Sequence, residues 1–430
     1  MTRRSLRWLG VGLLAGASAG LLEVASTLNP AFALGDDTAL IMGYAGTPDP
    51  NQTYVSEVMN LFLPGTQQFP GQPVFPGYSP VVQLTPEGAD YQQVITQGVP
   101  ELDQGIMQQL GQGNNVVVFA YSESTSIATQ EMVNLAALPA DRQPNPADLQ
   151  FVLVEDLNNP NGGFVERFPY LATMSFPATP ADSLYPTDIY TVEYSGSSDF
   201  PQYPADLLAD ANAVAGFIDL HPFLLPGWPT GFTPSELAGA VLEPTSPGYD
   251  GATQYFMIAT QDLPLLDGLR AIPGVGPAMA DLIQPDMRVI IDLGYDRTGG
   301  ANVATPADLS LPNIDWTTVD AELATGAQQG WTAAMVDLGM LPTSDLPNAY
   351  PYLPDISGLE SGSVGASVSA LPTASALAGD LSGQPNLSAL LADLSTYATA
   401  ELSALFGSSA ATDVASLSST DLLSSLAGLF

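Results

Sequence analysis

Ser122 lies between an apolar run at residues 115–120 (NVVVFA) and a stretch of helical periodicity at residues 124–138. A buried strand, a sharp turn with a serine at its tip and a following helix form the setting of a nucleophile elbow. Because such a turn brings strand and helix close together, the positions two before and two after the serine must be small, as Ala120 and Ser124 are. We therefore predict Ser122 as a nucleophile for acyl transfer; the alternative is an ordinary serine in a strand–helix turn.

His221 is the only histidine in the chain. A serine hydroxyl becomes a nucleophile when an adjacent general base takes its proton, and no second imidazole is available for that role. His221 lies downstream of Ser122, directly after a predicted helix at residues 207–220. In enzymes with a nucleophile elbow, the order along the chain is serine, acid, histidine, and the position of His221 agrees with this order. We predict His221 as the base, with a purely structural histidine as the alternative.

The base needs a carboxylate that fixes its tautomer and stabilises the imidazolium. Such an acid is expected after a strand that lies between the serine and the histidine in sequence. Asp199 follows a predicted strand at residues 189–194, and Asp156 follows a predicted strand at residues 151–154. We favour Asp199, and Asp156 remains the alternative.

An oxyanion hole requires backbone N–H donors directed at the developing negative charge. One donor is expected from the residue after the nucleophile, which is Glu123. The second should come from a loop after an early strand, and residues 43–46 (GYAG) follow a predicted strand at residues 38–42. Tyr44 and Ala45 are both candidates, and the sequence does not decide between them.

The composition excludes several classes of function. The 430 residues include 45 acidic and 8 basic side chains, all of the latter arginine, for a formal net charge of −37. Binding to nucleic acid or to anionic lipid requires clustered cations, so both partners are excluded. With no cysteine and one histidine, disulfides, zinc–thiolate sites and multi-histidine metal sites are excluded too. We expect no metal and no cofactor.

Strands alternate with helices over residues 36–310, which predicts an α/β domain with a mainly parallel central sheet. Pro100 is expected to break the first long helix. The predicted strands are residues 38–42, 115–120, 151–154, 189–194 and 255–260, the predicted helices are residues 89–112, 124–138 and 207–220, and an apolar stretch at residues 288–293 completes the set.

The two ends of the chain differ from this domain. Residues 1–33 combine Arg3, Arg4 and Arg7 with a short apolar run and an Ala31-Phe32-Ala33 site. This pattern predicts a cleaved secretory signal peptide, with a membrane anchor as the alternative. Residues 311–354 are expected to be a Pro-rich extension. Residues 355–430 are a low-complexity Ser/Ala/Leu-rich tail, either weakly structured or helical and associated with the cell envelope.

Several blocks together resemble the PE-PPE-domain family of mycobacterial serine hydrolases. They are GYAGTPDP, VVVFAYSESTSIATQEM, DLNNPNGGFVERF, YSGSSDFPQYPADLLADANAVAGFIDLH and QPDMRVIIDLGYD, in this order. The resemblance implies a cutinase-like α/β-hydrolase with Ser122 as nucleophile, Asp199 as acid and His221 as base. The chain departs from the family in beginning with a predicted signal peptide instead of a PE module. It also has Ala120 where the family commonly has glycine.

We therefore predict a secreted serine esterase or lipase that cleaves carboxylic esters of small molecules or lipids through an acyl-enzyme. One alternative is an acyltransferase that passes the acyl group to a sugar or lipid hydroxyl in the cell envelope. Another alternative, of a different class, is a catalytically inactive envelope protein that keeps the fold for binding.

Overall fold

A computed structural model describes residues 37–44, 50–63, 72–73, 91–169, 177–221, 237–297, 300–310, 312 and 314–346. The predicted signal peptide (1–33), Ala45 and the Ser/Ala/Leu-rich tail (355–430) lie outside the described residues. The strands are β1 (Asp37–Ile41), β2 (Gln72–Pro73), β3 (Asn115–Tyr121), β4 (Leu149–Val154), β5 (Thr187–Val192), β6 (Val241–Leu242) and β7 (Thr253–Ile258).

Helices connect these strands. They are α1 (Gln52–Leu61), α2 (Tyr91–Gly111), α3 (Glu123–Ala136), α4 (Phe164–Arg167), α5 (Leu207–Asp219), α6 (Asp267–Arg270), α7 (Gly276–Asp292) and α8 (Trp316–Asp337), with single 3₁₀ turns at Pro264–Leu266 and Thr343–Asp345. Strands that alternate with helices along the chain build crossover units, which is the connection that parallel strands require.

The described strands form one sheet in the order β2-β1-β3-β4-β5-β7-β6. Neighbouring strands are parallel except for the short edge strand β6, which is antiparallel to β7. The predicted α/β fold with a mainly parallel central sheet is thereby confirmed. In an open parallel sheet, functional groups gather beyond the carboxyl ends of the strands, and β3, β4 and β5 present theirs side by side.

Both faces of the sheet are covered, which explains why its strands are continuously apolar. Successive residues of β3 point to opposite faces. Val116, Val118 and Ala120 pack with buried residues of α2 and α3. Val117, Phe119 and Tyr121 pack with buried residues of α1 on the other face. A third apolar cluster joins α5 to α7 beyond the end of β5.

Three elements differ from the prediction. Pro100 does not break α2, which runs through it for 21 residues; the lost backbone bond is offset by the burial of Ile95, Val99, Leu102 and Ile106. Residues 288–293 are not a separate element but belong almost entirely to α7. The expected Pro-rich extension contains α8, a helix of 22 residues.

Helix α8 packs closely on α7. A Cβ placed on Gly330 would lie 2.1 Å from the carbonyl oxygen of Leu282, so the two backbones touch at a point where only glycine fits. This contact explains why residues beyond the predicted domain boundary are ordered against it. Within the described part of the chain, no helix is long and apolar enough to cross a membrane.

Candidate active site

Ser122 occupies a strained turn between β3 and α3. Its backbone angles are φ 56° and ψ −126°, a region that non-glycine residues enter at a cost of about 1–3 kcal/mol and that is concentrated at functional sites. Among the described residues, the other non-glycine residues with positive φ are Glu155 and Tyr194. All three follow the carboxyl ends of adjacent strands, β3, β4 and β5. Backbone strain therefore marks this edge of the sheet.

The residue two after the nucleophile holds the turn in place. The Ser124 hydroxyl accepts a hydrogen bond from the Tyr121 N–H at 2.9 Å and lies 3.0 Å from the Tyr121 carbonyl oxygen, to which it donates. The Thr125 hydroxyl donates to the Ser122 carbonyl at 2.6 Å. A serine at position 124 is thus compatible with the elbow, because its small side chain bonds the strand end that it approaches.

Helix α5 delivers His221 to the nucleophile. Asp206 caps the start of α5 through Leu208 N–H and Ala209 N–H, as short polar side chains do at helix N-termini. At the other end, the His221 N–H donates to the Gly216 carbonyl at 3.1 Å. A Cβ on Gly216 would lie 2.0 Å from the Tyr194 carbonyl oxygen. The glycine therefore allows α5 to approach the loop after β5, and this approach sets the position of His221.

Ser122 and His221 are in direct contact. The Ser122 Oγ lies 2.7 Å from the His221 Nε2, within the range of a strong hydrogen bond. The imidazole ring stacks with Tyr121 (centroids 5.5 Å apart) and with Phe217 (5.0 Å). These contacts restrict the ring to one orientation, and aromatic faces also favour a cation above them.

The carboxylate beside His221 belongs to Glu155, which the sequence analysis did not name. Its Oε2 lies 3.1 Å from the His221 Nδ1, and its side chain is 0% exposed. For Nε2 to accept the serine proton, Nδ1 must carry the ring hydrogen. Glu155 Oε2 is then an acceptor for that hydrogen, which is the geometry that fixes the imidazole tautomer.

A loop of serines surrounds the Glu155 carboxylate. Oε1 accepts from the Val192 N–H and from the Ser198 hydroxyl, each at 2.9 Å. Oε2 accepts from the hydroxyls of Ser195 and Ser197, the latter at 2.6 Å. A buried charge is tolerated only when hydrogen bonds replace its water, and these donors supply that replacement. The loop after β5, residues 195–199 (SGSSD), thus contributes its serines to the site, and we call it the serine loop.

Asp199 does not contact His221. Its carboxylate accepts from the Tyr194 N–H at 2.8 Å and pairs with Arg297. Both interactions turn the side chain away from the imidazole and toward the cluster around α7. Asp199 follows β5 in sequence, as an acid of this kind should. However, its loop forms a turn in which the Asp199 N–H donates to the Ser195 carbonyl at 2.8 Å. The geometry therefore gives Asp199 the role of holding the serine loop in shape.

Asp156 is also directed away from His221. It accepts from the Thr179 hydroxyl at 2.7 Å and from the Asn158 N–H at 2.9 Å. Burial raises the pKa of Asp156 to about 6, against the opposing effect of these hydrogen bonds. Through Thr179 and Thr129, whose hydroxyls are 2.5 Å apart, this cluster ties the segment after β4 to α3. Asp156 thereby helps to fix the segment that carries Glu155.

The predicted oxyanion donors are partly described. Glu123 is the first residue of α3 and directly follows Ser122, so its N–H lies at the elbow. Burial raises the pKa of its side chain to about 8. The Tyr44 ring packs edge-on against Tyr121, with centroids 4.9 Å apart, which places Tyr44 next to the elbow. Ala45 lies outside the described residues.

One signal in the sequence could have indicated Glu155. It directly follows the apolar run of β4, as Ser122 closely follows that of β3, and the register pairs Tyr121 with Val154. The two residues that follow this pair therefore emerge side by side. Asp156, the next residue, was the alternative acid because it too follows a strand that lies between the serine and the histidine in sequence.

Comparison with known proteins adds the family. Residues 45–296 match the PE-PPE domain, and this span includes Ser122, Glu155 and His221. The chain belongs to the PE-PPE domain family. No solved structure matches it significantly.

Relatives of this PE-PPE chain occur in Mycobacterium tuberculosis. PE family protein PE3 is 45% identical over 329 residues, covering 74% of this chain and 67% of the relative. Esterase PE16 is 40% identical over 335 residues, covering 76% and 61%. Diacyltrehalose acyltransferase Chp2 is 30% identical over 190 residues, covering 41% and 50%. The chain thus spans about half to two thirds of the length of these relatives.

Proposed function

We propose that this protein is a serine hydrolase that cleaves carboxylic acyl esters, with Ser122 as nucleophile, His221 as base and Glu155 as the orienting acid. The chain of contacts from Ser122 Oγ to His221 Nε2 at 2.7 Å, and from His221 Nδ1 to Glu155 Oε2 at 3.1 Å, carries the proposal. A serine, an imidazole and a carboxylate in this order are recognised as a triad by their geometry and not by their sequence positions.

In the first half-reaction, His221 Nε2 takes the proton of the Ser122 hydroxyl while Oγ attacks the ester carbonyl carbon. The resulting tetrahedral oxyanion accepts hydrogen bonds from the Glu123 N–H and from a second donor, for which Tyr44 and Ala45 remain the candidates. As the intermediate collapses, the carbon–oxygen bond to the alcohol breaks. The alcohol leaves with the proton from Nε2, and the acyl group stays on Ser122.

In the second half-reaction, water attacks the acyl-enzyme and gives a proton to His221 Nε2. Collapse of the second tetrahedral intermediate releases the carboxylic acid and returns the proton to Ser122 Oγ. In both halves, the Glu155 carboxylate stabilises the imidazolium through Nδ1. The hydroxyl of Ser197 lies 2.8 Å from Nδ1 and donates to Glu155, so it shares the ring hydrogen with the carboxylate and helps to hold the imidazole.

The experiment that tests the proposal combines turnover with active-site labelling. The purified full chain should hydrolyse 2-nitrophenyl butyrate and should incorporate one fluorophosphonate group, because only an activated serine reacts with this probe. Ser122→Ala should lose both properties while retaining its circular dichroism spectrum. A folded wild-type protein that neither hydrolyses the ester nor takes up the probe would reject the proposal and favour the inactive binding protein.

A relative supports a second candidate, transfer of the acyl group to an alcohol. The name of the relative Chp2 is diacyltrehalose acyltransferase, and such a reaction differs from hydrolysis only in what attacks the acyl-enzyme. Adding trehalose or glycerol to the ester assay separates the two reactions. A transferase should form an acylated sugar or glycerol in preference to the free acid although water is in excess, whereas a hydrolase should release the acid.

We further propose that the protein works outside the cytoplasm. Residues 1–33 have a charged start, a short apolar run and a small-residue site, which is the pattern of a secretory signal peptide. Association of the Ser/Ala/Leu-rich tail with the cell envelope is a second part of this proposal. Fractionation of cells that express the full chain, compared with a chain lacking residues 1–33, tests the first part. Equal export of both would reject it.

A further inference from the structure

The basic side chains beyond residue 7 of this protein can all be located. The chain has no lysine, and beyond the first seven residues its arginines are Arg142, Arg167, Arg270, Arg288 and Arg297. Each of these five lies in the described part of the structure. The position of every permanent cation between residue 8 and the C-terminus is therefore known, including any that could recognise an anionic substrate.

Two of the arginines lie near the carboxyl ends of the strands and form ion pairs with carboxylates around β5. Arg288 pairs with Glu193 at 3.2 Å and donates to the Thr260 carbonyl at 2.6 Å. Arg297 pairs with Asp199 and with Asp292. Their guanidinium groups are enclosed by these partners and by tyrosine rings, so their charges are already matched within the protein.

Two further arginines are also enclosed by the protein. Arg167 is 1% exposed and donates to the Phe200 carbonyl, the Thr305 carbonyl and Asn161 Oδ1. Arg270 pairs with Asp262 and Asp281. Arg270, Arg288 and Arg297 together contact five carboxylates, which are Asp262, Asp281, Glu193, Asp199 and Asp292.

Arg142 is the exposed arginine, and it lies at the opposite edge of the sheet. It follows the end of α3 and precedes the start of β4, beside a cavity of about 460 Å³ lined by Asn115 and Asp148 among others. Helix α3 runs from Ser122, at the carboxyl ends of the strands, toward Arg142, at their amino ends. Its 14 residues span about 21 Å at 1.5 Å per residue. Arg142 is therefore too far from Ser122 to contact a charged group that lies close to the scissile bond.

We infer that the acyl esters bound at Ser122 carry no carboxylate or phosphate near the scissile bond, which excludes lipids that are phosphorylated beside the ester as acyl donors. The inference rests on the proposed esterase function. Arginine and lysine are the side chains that match the charge of a phosphate or a carboxylate. The arginines enclosed in the protein already bind carboxylates or neutral oxygens of the protein, and Arg142 lies far from Ser122. An anionic ester would also enter the field of a protein with a formal net charge of −37, which lowers its local concentration.

A matched pair of esters tests the inference. 2-Nitrophenyl butyrate and 2-nitro-5-carboxyphenyl butyrate share the acyl group and the leaving oxygen and differ in one carboxylate. With each rate normalised to the hydroxide-catalysed rate of the same ester, kcat/KM should be at least about tenfold lower for the carboxylated ester at low salt. The deficit should shrink between 20 mM and 500 mM NaCl, because salt at these concentrations screens charges beyond about 20 Å and about 4 Å respectively.

The outcomes separate this inference from the proposed function. No hydrolysis of 2-nitrophenyl butyrate rejects the esterase itself. Hydrolysis of both esters with equal normalised kcat/KM, or a deficit that salt does not reduce, overturns the inference and leaves the esterase standing. Arg142→Gln is the matched control and should leave the ratio of the two rates unchanged. A selective loss with the carboxylated ester in this variant would mean that Arg142 reads the charge, and would also overturn it.

Discussion

Glu155 follows β4 as Ser122 follows β3. The residues before them, Val154 and Tyr121, are paired in the register of the sheet. Glu155 and Ser122 themselves have positive φ, 55° and 56° respectively. The two strained turns lie next to each other, and His221 contacts the side chains of both. Strain of this kind persists only where the surrounding structure enforces it, as the serine loop and α3 do here.

The first prediction concerns the identity of the acid. Glu155→Gln keeps the volume of the side chain but removes the charge that stabilises the imidazolium. We expect kcat to fall by at least about 10²-fold, toward the loss of about 10⁴-fold known for the loss of a triad carboxylate. Steady-state kinetics on 2-nitrophenyl butyrate, with circular dichroism to verify folding, measures this loss.

Asp199→Asn is the matched comparison. It removes a carboxylate from Arg297, which keeps Asp292 as a partner. Breaking a buried pair costs about 3–5 kcal/mol when the other charge is left uncompensated, so the remaining Asp292 should keep the cost below this range. We expect a lower midpoint of thermal unfolding, with kcat of the folded enzyme within about tenfold of wild type. If Asp199→Asn abolished turnover and Glu155→Gln did not, the assignment of the acid would be reversed.

The second prediction concerns Ser197. Its hydroxyl contacts both His221 Nδ1 and Glu155 Oε2, whereas Ser198 contacts only Oε1, the oxygen away from the imidazole. Ser197→Ala should therefore lower kcat about tenfold with little change in KM. The hydrogen bond between Nδ1–H and the Ser197 hydroxyl becomes charge-assisted only when the imidazole is protonated, so its loss destabilises the transition state more than the ground state. Ser198→Ala should have a smaller effect on kcat. Equal losses in the two variants would mean that the serines act only by stabilising the loop.

The third prediction concerns alkaline pH. Burial raises the pKa of Glu123 to about 8, so this carboxyl is neutral at pH 7 and becomes charged above pH 8. A negative charge on Glu123, whose N–H is the proposed oxyanion donor, would oppose the developing charge of the transition state. We expect kcat/KM to fall above about pH 8 in the wild type and to remain level there in Glu123→Gln. The same alkaline decline in both proteins would assign the effect to another group.

The fourth prediction concerns stability. Burial raises the pKa of Glu131 from its ordinary value of 4.5 to about 8, and that of Asp210 from 3.8 to about 7. Between these limits the folded protein retains protons that the unfolded chain releases, so the free energy of unfolding falls as pH rises. Urea unfolding should show a higher midpoint at pH 5.5 than at pH 8, and Glu131→Gln should reduce the difference. A higher midpoint at pH 8 would contradict this.

Five of the strands and the strand–serine–helix setting of Ser122 could be predicted because they depend on local patterns. Continuous apolar runs mark the buried strands, and the strand–serine–helix pattern around Ser122 is a property of a short segment. Since the chain has one histidine, composition alone selected His221. Such signals survive without knowledge of the packing.

The acid could not be predicted because its contacts depend on tertiary packing. Asp199 is diverted by Arg297, a partner far along the chain, and nothing near Asp199 in sequence reveals this pairing. Glu155 reaches His221 only because its φ is positive and because α5 approaches the loop after β5 at Gly216. Helix α8 was missed for a related reason, since small residues that pack against α7 give a weak apolar periodicity.

Trapping the acyl-enzyme tests the central claim most directly. During turnover of 2-nitrophenyl butyrate, the reaction is quenched with acid and the protein is digested with pepsin, then analysed by mass spectrometry. We expect a butyryl group on the peptide that contains Ser122, at a level that increases when deacylation is slowed at low pH, and none in Ser122→Ala. Turnover without this adduct under single-turnover conditions, or a butyryl group on another residue, would contradict the account.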